Sequence, residues 1–106
     1  MDKTLTKVKE IIEDKLGLDI VVLDFRENNP FVDYFVIASA RNEMNALAII
    51  NELEDKLSGE YEVKNKDCVK DSGWFLLEVD NCLVHIFYDG KREYYGLEEL
   101  WKDLRV

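Results

Sequence analysis

Two apolar segments, 74–79 and 82–87, are separated in the sequence by only Asp80 and Asn81. Both segments are rich in aromatic and aliphatic residues, and a short polar pair between such segments is typical of a tight β-hairpin turn. A two-residue turn permits one register, in which the residues flanking the turn face each other and the others pair in step. The sequence therefore predicts an antiparallel hairpin around which the rest of the fold is organised.

The predicted register gives the hairpin two unlike faces, because successive side chains of a strand point in opposite directions. One face carries only apolar side chains, namely Phe75, Leu77, Val79, Cys82, Val84 and Ile86. That face must be buried against helices. The other face mixes apolar and polar side chains, namely Trp74, Leu76, Glu78, Leu83, His85 and Phe87. This mixed face is the one predicted to be available to a partner.

Hydrophobic periodicity divides the remaining chain into helices and further strands. Apolar spacing predicts helices at 5–16, with Asp2 or Thr4 as N-cap, at about 42–58, and from Leu97 onward. Short apolar or alternating runs predict strands at 19–25, 33–39 and 61–64, followed by a connection at 65–72. At 106 residues, the chain is expected to form one α/β domain, residues 1–106, with a mixed sheet of about five strands and flanking helices.

The charge of the chain limits its partners. Its 14 basic and 23 acidic residues give a formal charge of -9, which opposes direct binding to nucleic acid. The same charge favours a basic protein partner, or else serves only solubility. No apolar run approaches the roughly 18 residues of a membrane span, and the N-terminal residues lack the apolar region of a signal peptide. A cytoplasmic protein without membrane contact is therefore expected.

Few residues are arranged for catalysis. The sole histidine, His85, lies mid-strand without a serine on a nucleophile elbow, and with Cys68 and Cys82 it is one ligand short of a closed zinc site. Glu78 and Asp80 form a carboxylate pair at a strand end, as in two-metal phosphoryl-transfer enzymes. Because Asp80 already serves the turn and no Gly-rich phosphate loop exists, we expect no enzyme, metal or cofactor, and keep metal-dependent nucleotidyl or phosphoryl transfer as the alternative.

Recognition is better supported, because the C-terminal third is rich in the aromatic and arginine residues that dominate interface hot spots. Trp101, one turn after Leu97, is expected to pack inward and anchor the closing helix. Trp74 and Tyr88 are expected to be the better surface candidates. The residues predicted to bind a partner are Trp74, Leu76, Glu78, His85, Phe87, Tyr88, Arg92 and Tyr95.

Five segments, in the same order and at matching separations, resemble the ribosomal silencing factor family, also known as the Iojap family. They are DIVVLDF at 19–25, DYFVIAS at 33–39, WFLL at 74–77, VHIF at 84–87 and R-x-x-Y-x-L-E-x-L-W at 92–101. The resemblance covers about residues 4–101, which is nearly the whole domain.

The resemblance implies a non-enzymatic translation repressor whose fold is similar to nucleotidyltransferases but lacks their catalytic residues. It implies binding to the large ribosomal subunit through a basic protein, number fourteen of that subunit, at the surface where the small subunit docks. Occupying that surface would block subunit joining and damp translation when nutrients are short. A role in large-subunit assembly is attached to organellar relatives, and a homodimer stays open.

Overall fold

The computed structural model describes residues 2–106 and contains a five-stranded mixed sheet with helices on it, so the predicted α/β class is confirmed. The helices and strands are α1 (Lys3–Asp14), β1 (Leu18–Asp24), β2 (Tyr34–Ser39), α2 (Glu43–Leu57), β3 (Val63–Asp67), β4 (Trp74–Val79), β5 (Cys82–Phe87), α3 (Lys91–Tyr95) and α4 (Leu97–Leu100). A 3-10 turn, Lys102–Leu104, follows α4. The strand order is β1-β2-β5-β4-β3; β2 and β5 are parallel, and the other neighbours are antiparallel.

The hairpin of β4 and β5 has the predicted register, from Val79 opposite Cys82 outward to the ends of both strands. Asp80 adopts a left-handed backbone conformation with φ of 50°, which Asp tolerates better than most residues. Its carboxylate accepts hydrogen bonds from the Thr4 hydroxyl at 3.2 Å and from the Glu62 amide at 3.0 Å. The turn is thus tied to both α1 and the chain that enters β3.

Helices α1 and α2 cover the apolar face of the hairpin and bury it completely. Of the two residues predicted as N-cap of α1, Asp2 takes that position. Asn42 caps α2 by accepting a hydrogen bond from the Asn45 amide at 2.8 Å. The core on this side includes Val8, Ile12, Val36, Ile49, Ile50, Leu53, Phe75, Leu77, Val84 and Ile86. None of the helices within residues 2–106 is long and apolar enough to cross a membrane.

The bounds of the third strand and of the closing helix differ from those predicted. The third strand begins at Val63 and continues to Asp67, so 65–67 belongs to the sheet and not to the connection. A shift in register between Lys64 and Asp67, where Asn65 has a φ of 54°, allows these polar residues to keep pairing with β4.

The closing helix is also different, because the chain forms two short helices instead of one. Gly96, in the left-handed conformation with φ of 60°, separates α3 from α4. Helix α4 ends before Trp101, whose side chain meets Phe25 edge-on at a ring distance of 5.3 Å and stays 40% exposed. The expectation that Trp101 packs inward and anchors the closing helix is therefore wrong.

Arg92 holds the C-terminal segment (91–106) against the sheet. Its Nε and Nη2 atoms donate to the two carboxylate oxygens of Glu98 at 2.7 and 3.0 Å. Nη1 donates to the Ser39 hydroxyl at 2.8 Å and to the Leu18 carbonyl at 3.4 Å, and Nη2 also donates to the Asp19 carbonyl. These contacts use every N–H donor of the guanidinium, so the segment is bonded to both β1 and β2.

We expect Arg92→Lys to lower the free energy of unfolding by about 1–3 kcal/mol, because an ammonium group cannot replace the forked contact with Glu98. Urea unfolding followed by circular dichroism measures the change. The matched control is Lys102→Ala, which breaks an exposed pair with Glu99 in the same segment and should change stability by no more than about 0.5 kcal/mol. Equal effects of the two substitutions would contradict the role of Arg92.

Candidate partner-binding surface

One face of the sheet is covered by neither α1 nor α2, and it is the mixed face of the hairpin. The C-terminal segment packs over part of it, against Val21, Leu23, Phe25, Ile37 and Phe87. Beyond that segment, Phe35 on β2 extends the mixed face, because it pairs directly with Leu83. The half-buried side chains of this area, here called the open face, are Phe35, Trp74, Leu76, Glu78 and Leu83.

Trp74 lies where the open face meets the C-terminal segment, and aromatic contacts fix its position. Its ring stacks on Phe87 at 5.2 Å and packs against Tyr95 at 4.5 Å. Its indole Nε1 donates a hydrogen bond to Nδ1 of His85 at 3.1 Å. The half-exposed indole is therefore held in one orientation, so less conformational entropy is lost when a partner binds.

His85 is only 3% exposed, although it belongs to the same face. Because Nδ1 accepts the bond from Trp74, the neutral ring carries its proton on Nε2. Burial lowers the pKa of His85 to about 4, so the ring is neutral at physiological pH. Within residues 2–106, the buried Nε2 has no hydrogen-bond partner.

The structure brings most of the predicted partner-binding residues together. Leu76 and Glu78 lie on the open face with Trp74, and Tyr95 stands beside Trp74 with 44% of its surface exposed. Phe87 lies on the same side of the sheet as His85, but it is only 1% exposed because Trp74 and the C-terminal segment cover it.

Arg92 and Tyr88 are placed differently. The guanidinium of Arg92 is fully engaged within the chain, as described above, and thus has a structural task. Tyr88 is 3% exposed and contacts Phe75 edge-on at 5.2 Å, inside the core beneath the helices. The expectation that Tyr88 is a surface residue is wrong, because side chains alternate along the strand and Tyr88 follows Phe87 onto the opposite face.

Glu78 and Asp80 do not converge on a common point that could hold a metal. Glu78, on the open face, accepts a hydrogen bond from the Asn65 side chain at 2.7 Å and pairs with Lys64 at 3.7 Å. Asp80 turns towards α1, where its carboxylate is bonded to Thr4. Nowhere in residues 2–106 do three His, Cys, Asp or Glu side chains group as metal ligands.

Two residues of the open face were missed among the predicted binding residues. Leu83 stands opposite Glu78 in the hairpin register, so the pairing itself could have added it. Phe35 belongs to β2, which pairs in parallel with β5, a distant part of the chain. Such a pairing cannot be predicted from a local sequence pattern. A prediction of strand order would have been needed to find it.

Residues 1–106 match the family described as "Ribosomal silencing factor during starvation". The chain is 32% identical over 92 residues to the ribosomal silencing factor of Bacillus subtilis, covering 86% of this chain and 78% of that protein. A crystal structure from Bacillus halodurans is similar with a TM-score of 0.82 and 26% identity, covering 99% of this chain and 98% of that one. A crystal structure from Chromobacterium violaceum, with a TM-score of 0.87, 23% identity and coverage of 96% and 88%, supports the fold alone. The resemblance is confirmed, and the chain belongs to the ribosomal silencing factor family.

Proposed function

We propose that the protein binds the large ribosomal subunit through a basic ribosomal protein, number fourteen of that subunit, and sterically blocks joining of the small subunit. Membership of the ribosomal silencing factor family supports an action on the ribosome. The observation that carries the proposal is the open face, where half-buried apolar side chains lie outside the cover of α1 and α2. The formal charge of -9 supports a basic partner.

The open face has the composition of a protein interface. Trp74 supplies a rigid aromatic anchor, Phe35, Leu76 and Leu83 supply apolar area, and Glu78 supplies a charge. The molecule measures 34 × 33 × 21 Å, so its broad side has room for the roughly 800 Å² that each partner buries in a standard interface. The proposed partner therefore rests on the sheet and not on the helices.

The proposed action is non-enzymatic and takes place in the cytoplasm, where the ribosomal subunits join. Support comes from Glu78 and Asp80, whose carboxylates are engaged by different structural partners. Binding to a maturing large subunit would extend the same contact to subunit assembly.

A homodimer built through the open face would compete with the ribosome for that face. The mass of the free protein should therefore be measured by light scattering at the concentrations used in each affinity measurement.

We expect Trp74→Ala to weaken binding to isolated large subunits by about 2 kcal/mol, or roughly 30-fold, because the rigid anchor is lost. Co-sedimentation over a range of subunit concentrations gives the affinity, and thermal unfolding reports the stability of the variant. Met44→Ala is the control, since Met44 is 82% exposed but lies on α2, on the other side of the sheet. A Trp74→Ala protein that binds normally and melts like a cavity variant would assign Trp74 to the core.

Association should be fast at low salt and slow down markedly as ionic strength rises. Attraction between the acidic domain and a basic protein steers their encounter, and ions screen that attraction over about 10 Å at 0.1 M. Stopped-flow measurement with the isolated protein number fourteen separates the association rate from the dissociation rate. An association rate that does not change between low and physiological salt would mean that the charge serves solubility only.

Inhibition of subunit joining should be competitive and should not require catalysis by Glu78 and Asp80. A domain with a radius of gyration of 12.6 Å obstructs the joining surface by its bulk, so excess small subunits should partly restore joining. Glu78→Gln and Asp80→Asn keep the shapes of the side chains. Both variants should still inhibit joining in light-scattering assays when they saturate the large subunits, because Glu78 contributes only a charge to binding. Loss of inhibition in either folded variant, together with a requirement for metal, would favour the enzyme alternative.

A further inference from the structure

His85 holds a buried donor on the side of the sheet that carries the proposed binding surface. The bond from the Trp74 indole occupies Nδ1, and the Nε2–H that remains has no acceptor within residues 2–106. A buried donor without an acceptor destabilises a folded protein, because the group has lost water and gained nothing in return. Since the unpaired Nε2–H does not stabilise the fold, it is expected to serve another role.

Two half-buried aromatic side chains of the open face, Phe35 and Trp74, flank the imidazole that carries this donor. In the sheet, His85 lies between Ile37 of β2 and Leu76 of β4. The Phe35 ring is 4.5 Å from the imidazole and the Trp74 ring is 5.7 Å from it, and both are half-buried. The Phe35 ring also packs on Phe25 at 4.4 Å, so a partner reaches the imidazole only if Phe35 rotates out of that contact.

We propose that His85 donates its Nε2 hydrogen to a main-chain carbonyl oxygen of the basic ribosomal protein when that protein covers the open face. This inference rests on the proposed function of that face. The acceptor is uncharged, because Glu78 and the net charge of -9 repel a carboxylate and the apolar surroundings penalise any ion. The bond forms only in the complex, so it selects partners that present a carbonyl at this point.

Tyr88 provides a matched control within the same chain. Its hydroxyl is also buried without a partner in the described residues, but it lies in the core beneath the helices. Tyr88→Phe removes only a buried unpaired donor and should leave the melting temperature unchanged or slightly raised. His85→Phe removes such a donor but also the acceptor of the Trp74 indole, so its melting temperature should be lower than that of Tyr88→Phe. Only His85→Phe should weaken binding to isolated large subunits, by about tenfold.

The outcomes separate this inference from the proposed function. If the wild-type protein does not bind large subunits, the proposed function fails and the inference falls with it. If the wild type binds and a folded His85→Phe protein binds within twofold of it, the inference alone is overturned. The same conclusion follows if Tyr88→Phe weakens binding as much as His85→Phe does.

A measurement on the unaltered protein avoids any dependence on the folding of a variant. In ¹⁵N-labelled protein, the imidazole resonances should report the Nε2–H tautomer before the partner is added. Saturation with the isolated basic protein number fourteen should move the Nε2 proton downfield and slow its exchange with water, as expected for a new hydrogen bond. An Nε2 proton whose resonance and exchange do not change in the saturated complex would overturn the inference.

Discussion

The two-residue turn between β4 and β5 is the constraint on which the rest of the structure depends. Because the side chains of a strand alternate, a slip of one residue would send Phe75, Leu77 and Val79 to the open face and bring Glu78 into the helix-covered core. The carboxylate of Asp80 secures the turn by bonding to α1 and to the chain before β3. Both the core and the candidate binding surface follow from this one register.

The two sides of the sheet serve different purposes. Beneath α1 and α2, the side chains are almost all apolar and buried, which is where the stability of the domain arises. The opposite side is covered only in part, by a C-terminal segment of short helices that Arg92 bonds to β1 and β2. The arrangement leaves Trp74 fixed by its neighbours but half-exposed, as a preorganised contact requires.

Features set by neighbouring residues were predictable from the sequence, whereas features set by distant contacts were not. The hairpin register follows from a local pattern and was predicted correctly, and the N-cap at Asp2 is one of the two that the local pattern offered. The place of β2 beside β5, which brings Phe35 to the open face, depends on parallel pairing between distant segments. The task of Arg92 likewise depends on Ser39 and on carbonyl groups far away in the chain. Tyr88 is the exception, because continued alternation would have placed it in the core.

The position of β5 has a consequence for folding during synthesis. β5 is the last strand to be synthesised, yet it lies in the middle of the sheet and joins β2 to β4. Without β5, the hairpin of β1 and β2 is not hydrogen-bonded to β3 and β4, and the core under the helices cannot close. A nascent chain therefore cannot complete the domain until its C-terminal part has left the ribosomal tunnel. The sheet therefore cannot assemble, and the open face cannot form, until β5 has emerged from the tunnel.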